Sequence, residues 1–203
     1  MCKMIKLTLL GCIVFLSGCV PSLRGIANEK NTIYDEGLIG LWVNDDGDDT
    51  WEFVKKDKNL YGLEVTDGEG KKGRFLVGLV KIKEQKFLDL FPDEMEWSAN
   101  GFYRVHFIPA HTFILAELKN DKLVLSMMAP DATEEFLKEN RKTAKHEMLN
   151  DRLIFTGSQK QLRKFLHAQS GNDKIFPDPQ TYTKKKKPAK SGSKNCRDKQ
   201  TGK

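Results

Sequence analysis

The sequence predicts a mainly β fold: a small antiparallel barrel or strongly bent sheet, followed by two short C-terminal helices. Three observations point there. Between residues 38 and 128, short stretches of alternating apolar and polar residues recur, separated by turn residues, as in a sandwich or barrel. Residues 74–82 are apolar on both faces, Phe75, Val77 and Leu79 opposing Leu76, Val80 and Ile82, as a strand lying between two layers requires. After Pro130 the apolar spacing becomes helical twice, each time behind a capping signal.

Residues 1–18 place Lys3 and Lys6 before an apolar run at 7–16, about half of the roughly 20 residues a spanning helix needs. The segment reads as a signal peptide and is set aside from the fold. Its end, Leu16-Ser17-Gly18-Cys19, resembles the lipobox of bacterial lipoproteins. The resemblance implies cleavage before Cys19, lipidation of its thiol with diacylglycerol, and a third acyl chain, such as palmitate, on the new amino terminus. Two or more chains anchor a protein stably where one is marginal. An ordinary cleaved signal or a short buried helix are the alternatives. By analogy with Gram-negative lipoproteins, Val20 implies an outer membrane anchor facing the periplasm. Residues 19–34, with Pro21, Gly25 and Asn28 and no periodicity, read as a flexible tether.

The β domain is expected over residues 35–170. Trp51 and Phe53 share one face of a strand, and Tyr61, Leu63 and Val65 share one face of the next. Residues 74–82 and 87–91 follow, and Tyr103, Val105 and Phe107 alternate with Arg104 and His106 in a further expected strand. Residues 112–118 and 122–128 meet at Asn120-Asp121, a hairpin turn tolerant of positive φ. Asp131 with Glu134 is expected to cap a helix buried through Phe136 and Leu137. Residues 151–156 return to strand, and Ser158 with Gln161 caps a helix carrying Leu162, Phe165 and Leu166. Residues 171–203 lose apolar content and read as a polar, basic, disordered tail.

Charge excludes one class of partner. The chain carries +6, but residues 184–203 hold nine Lys or Arg against one Asp, and Lys3 and Lys6 leave with the signal. The remainder is therefore net acidic, and no nucleic acid partner is expected. The four basic residues Lys184, Lys185, Lys186 and Lys187 would suit an anionic envelope surface, or would simply be solvated. With Cys2 and Cys12 in the signal and Cys19 acylated, Cys196 is left alone, so no internal disulfide framework is expected.

Gly40-Leu41-Trp42 looks like the G-x-W signature on the first barrel strand of lipocalins, where glycine permits close backbone approach and the indole plugs one end. The order of elements from there to residue 166 is similar to small lipocalin-like bacterial lipoproteins. The family's threonine-aspartate-x-x-tyrosine motif is missing. The resemblance implies a barrel able to hold a small apolar ligand, with Trp42, Trp51, Phe53 and Tyr61 as wall residues, although each would also serve as core. It also implies a late arginine stacked on Trp42; Arg152 is the candidate, unless it faces solvent.

Catalytic signals are sparse. Asp45, Asp46, Asp48 and Asp49 cluster as calcium ligands would, but the spacing fails the EF-hand loop and a solvated hairpin turn accounts for them. His106 and His111 are nearest neighbours among four histidines, yet residues five apart on a strand face opposite sides. Glu94 and Glu96 beside Trp97 fit either a glycan-cleaving pair or a polar loop. There is no G-x-S-x-G, H-E-x-x-H or P-loop, so neither an enzyme nor a cofactor nor a metal is expected. The expectation is a membrane-anchored envelope lipoprotein, either carrying a small apolar ligand or lipid in its barrel or acting as a scaffold with a filled core.

Overall fold

A computed structural model describes residues 19–93 and 100–185. Its strands are β1 (Thr32–Ile33), β2 (Gly40–Asn44), β3 (Thr50–Asp57), β4 (Leu60–Thr66), β5 (Lys72–Ile82), β6 (Gln85–Pro92), β7 (Thr112–Lys119), β8 (Lys122–Met127), β9 (His146–Leu149), β10 (Arg152–Phe155) and β11 (Gln180–Lys185). Helices are α1 (Gly101–Arg104), α2 (Pro130–Glu139) and α3 (Gln159–Gln169), with a 3-10 turn at Glu36–Leu38. Eight strands run antiparallel in the order β5-β4-β3-β2-β11-β8-β7-β6, and β6 pairs back onto β5 to close the barrel. The expected mainly β barrel with two short C-terminal helices is therefore the fold.

β5 makes closure possible. Its residues pair with β4 from Lys72 to Gly78 and with β6 from Phe75 to Ile82, so the strand is shared in a staggered way by both neighbours. Such stagger is what a closed sheet needs. Beyond the end of β4, the short β1 adds to the same strand through Thr32↔Val80 and Ile33↔Leu79. The turn expected at Asn120 is formed, with φ 52° between β7 and β8; a further hairpin that the sequence reading did not include turns at Asn150 and Asp151, φ 49° and 59°, between β9 and β10. Asn and Asp tolerate that region better than other side chains.

Two apolar cores result from the alternation of strand faces. The inner one fills the barrel with Trp42, Trp51, Phe53, Tyr61, Val77, Leu88, Leu125, Tyr182 and their neighbours. The outer one lies against the other face of β5, β6 and β7, where Val80, Phe87 and Phe113 meet Leu137 of α2, Phe155 of β10, and Leu162, Phe165 and Leu166 of α3. The two faces of residues 74–82 thus do go to different layers, Val77 and Leu79 inward and Val80 outward.

Four expectations need correction. Residues 19–34 are not a flexible tether: Val20, Ser22 and Ile26 are buried, and Ser22 bridges His111 on one side and Phe155 on the other. Apolar side chains at 20 and 26, with backbone hydrogen bonds from Ser22, Ile26 and Ala27, fasten a segment that lacks regular periodicity. The tail beginning at 171 is not structureless up to its lysines, because Ile175 and Phe176 enter the outer core and β11 closes the barrel between β2 and β8. Thr181, Tyr182 and Thr183 suit a strand. Residues 103–107 form no strand; the Asn100 side chain accepts from Tyr103 N at 2.9 Å and starts the single turn of α1. Finally, α2 begins at Pro130, with Asp131 inside its first turn and no side-chain cap, because proline is suited to the first helical position. The Ser158 and Gln161 capping box on α3 is formed as expected.

Candidate functional site

The barrel interior is the place where the sequence puts its candidate ligand wall. Trp42, Trp51, Phe53 and Tyr61 all point inward and all are buried. They are brought together by register: Trp42 lies across from Trp51, and Phe53 across from Leu63. Their rings spend that burial on one another. Trp51 packs 6.3 Å from Phe53 and 5.8 Å from Tyr182, Phe53 meets Tyr61 edge-on at 6.3 Å, and Tyr61 stacks on Tyr34 at 5.3 Å. Contacts of this kind add to the area term of burial, by about 0.5–1.5 kcal/mol per pair. Sequence reasoning missed Tyr34 and Tyr182, which lay in the segments assigned to tether and tail.

One end of the barrel is sealed. The 3-10 turn reaches the ends of several strands: Lys86 pairs with Asp35 at 3.0 Å, Tyr61 Oη accepts from Asp35 N at 2.6 Å, and Trp42 Nε1 donates to Leu38 O at 2.8 Å. Over the indole sits Lys184, its Nζ 5.2 Å from the ring and donating to Gly37 O at 2.7 Å. The cation over Trp42 is thus Lys184 and not the expected Arg152, which is exposed at the start of β10. Gly40 is needed for this arrangement. Its φ is +130°, and a Cβ there would stand 2.9 Å from Lys184 Cε. Burial pushes the Tyr61 and Tyr182 phenols up to about 12, Tyr61 despite its bond to Asp35.

A second polar cluster lies outside the barrel. Asp89, on the outward face of β6, is buried, and its Oδ2 accepts from Ile26 N at 2.6 Å and Ala27 N at 2.8 Å. Oδ1 lies 2.7 Å from His111 Nδ1. A buried carboxylate is tolerable only when so satisfied. Gly25 permits the approach, since a Cβ there would stand 2.6 Å from His111 Cε1 and 2.7 Å from Asp89 Oδ2. The cluster holds the chain between Gly25 and Ala27 against the barrel, and His111 is occupied there by Asp89, while His106 is exposed on the loop beside Phe102. Among the described residues no group of three or more His, Cys, Asp or Glu side chains could hold a metal.

Cys19 stands beside the tip of the β9–β10 hairpin, where Val20, Pro21, Asn150, Asp151 and Arg152 line a cavity of about 630 Å³ with it. Burial raises its thiol above the usual range. The acidic turn is a solvated hairpin: Asp45, Asp46 and Asp48 are exposed, and Asn44 Oδ1 accepts from Asp49 N at 3.0 Å. Glu94, Glu96, Cys196, Lys186 and Lys187 lie outside the described residues, as do residues 1–18. No helix among the described residues is long and apolar enough to cross a membrane.

No protein-family model, no curated protein and no solved structure matches this chain.

Proposed function

We propose that the chain is a non-enzymatic, lipid-anchored protein of the bacterial envelope whose barrel is a filled scaffold acting through its outer surface. The observation that carries this reading is the barrel interior, where inward rings from β2, β3, β4 and β11 are buried against each other. An interior so occupied leaves binding to the outside. The anchor rests on the lipobox match ending at Cys19, which an enzyme would acylate; a thiol raised by burial is a weak nucleophile of its own. Lys184 is taken up by the sealed end, so the proposed contact of the basic tail with an anionic envelope surface begins at Lys185.

Carriage of a small apolar ligand or lipid is the second reading. It is favoured by Val65, Phe75 and Met127, partly buried on the inner core at the barrel end away from the 3-10 turn. Native mass spectrometry of protein purified from its membrane separates the two: a clean mass supports the scaffold, and reproducible co-purified lipid supports carriage. Exchange of Cys19→Ser followed by membrane fractionation tests the anchor. The wild-type chain is expected in the membrane with an acyl mass on residue 19, and the variant in the soluble fraction; unchanged retention of the variant overturns the anchor.

A further inference from the structure

The loop between β6 and β7 is unlike the rest of the surface. From Gly101 to Pro109 every residue is exposed, and five of them are large and apolar: Phe102 at 79%, Tyr103 at 54%, Val105 at 70%, Phe107 at 44% and Ile108 at 74%. The side chains do contact one another, Phe102 against His106 and Tyr103 against Phe107. Soluble surfaces rarely carry so many together unless something covers them.

We propose that this loop is a second membrane contact, inserting Phe102, Tyr103, Val105 and Ile108 into the lipid surface that holds Cys19. The inference rests on the anchored reading above, and three features select a bilayer as the occupant. The apolar residues at 102, 103, 105, 107 and 108 follow no single face of a helix or strand. A shaped protein groove reads one face, whereas lipid accepts all of them. Charge agrees over the patch itself: the acids of this loop, Asp93, Glu94 and Glu96, all precede it, no Asp or Glu occurs between Ala99 and Ala116, and Arg104 sits among the apolar groups where it can meet anionic headgroups.

Reach is the third feature. Ser22 and His111 exchange backbone hydrogen bonds, both 2.8 Å, which fixes the root of the loop to a residue three positions after Cys19. Ile108 is likewise three positions from His111. Three extended residues span at most about 11 Å, so the anchor and Ile108, the near edge of the patch, are at most about 30 Å apart. Because the Ser22–His111 bridge is antiparallel, they depart from it in opposite directions. One bilayer surface engages both when the segment from Cys19 to Gly25 lies along it.

The test uses the mature chain carrying Cys19→Ser, so that the loop is measured without acyl chains. Sedimentation with phosphatidylcholine vesicles, with and without phosphatidylglycerol, should show partition that rises with the anionic lipid. Phe102→Ser with Ile108→Ser should lower the partition coefficient by at least about tenfold at unchanged melting temperature, since both side chains are already exposed. Arg104→Glu should weaken the preference for phosphatidylglycerol, the remainder of which belongs to the basic tail. In a Phe102→Trp variant, lipid brominated in its acyl chains should quench fluorescence beyond that of the parent. Equal partition of parent and loop variant, or no partition of either, overturns the proposal. Self-association abolished by the same two substitutions also overturns it, giving the patch to a second copy. Failure of the anchor shows separately, as wild-type chain without acyl mass in the soluble fraction.

Discussion

The core inside the barrel and the core outside it use the same kinds of side chain but draw them from the chain differently. Inside, strands adjacent in sequence and paired with one another supply most of the rings, as Trp51 and Phe53 on β3 meet Tyr61 on β4. Outside, β6 and β7 are covered by pieces far apart in sequence: Val20 and Ile26 before the barrel, and Phe155, Phe165, Ile175 and Phe176 between its strands β8 and β11. The contrast teaches that a hairpin-built core is announced by alternation, whereas a covering layer is assembled from residues whose local pattern says little. The join is polar, and Asp89 with His111 makes it.

Closure by a late strand is where the comparison breaks most sharply. Removing residues from Gln180 onward deletes β11 and leaves β2 and β8 with open edges, so cooperative unfolding should be lost; an unchanged melting curve would return 180–185 to the tail. Next come matched truncations in the two cores. Phe53→Ala inside and Phe165→Ala outside should each cost about 3–5 kcal/mol in urea unfolding, because both are buried. A much smaller loss at Phe165 would make the outer layer accessory.

Smaller is the join itself. Asp89→Asn keeps the volume but removes the charge from three hydrogen bonds, and should cost about 2–3 kcal/mol and speed amide exchange at Ile26 and Ala27. The least effect concerns pH. Tyrosine in the unfolded chain ionises near 10, while Tyr61 and Tyr182 hold their protons to about 12 in the fold. Their raised values contribute stability that is whole below about pH 10 and is lost as pH rises through about 12. Urea midpoints should therefore fall over that window, and Tyr61→Phe should flatten the fall.

Much of the candidate site was legible. Spacing set Trp51 with Phe53, and Tyr61 with Leu63 and Val65, on one face of their strands, the lipocalin resemblance added Trp42, and all four are inside. What covers Trp42 was not, since Lys184 belongs to a lysine run whose composition reads as solvated; only the cross-strand pairing Lys184↔Trp42 singles it out. Asp89 was hidden for a related reason. A lone acid between Leu88 and Leu90 reads as a solvent-facing strand residue until something packs over it.

The sequence by itself determined the strand faces, the hairpin turn at Asn120 and the cap at Ser158, because each depends on residues only a few positions apart. Tertiary structure alone decided that β11 would close the barrel, that residues 19–34 would be strapped to its side, and that Lys184 would lie on Trp42. Those outcomes depend on partners distant in sequence, 63 residues apart for Ile26 and Asp89 and 147 for Lys184 and Gly37, and they form because a barrel with an open edge, or with Phe87 and Phe113 bare on its outer face, would leave polar backbone and apolar surface unsatisfied.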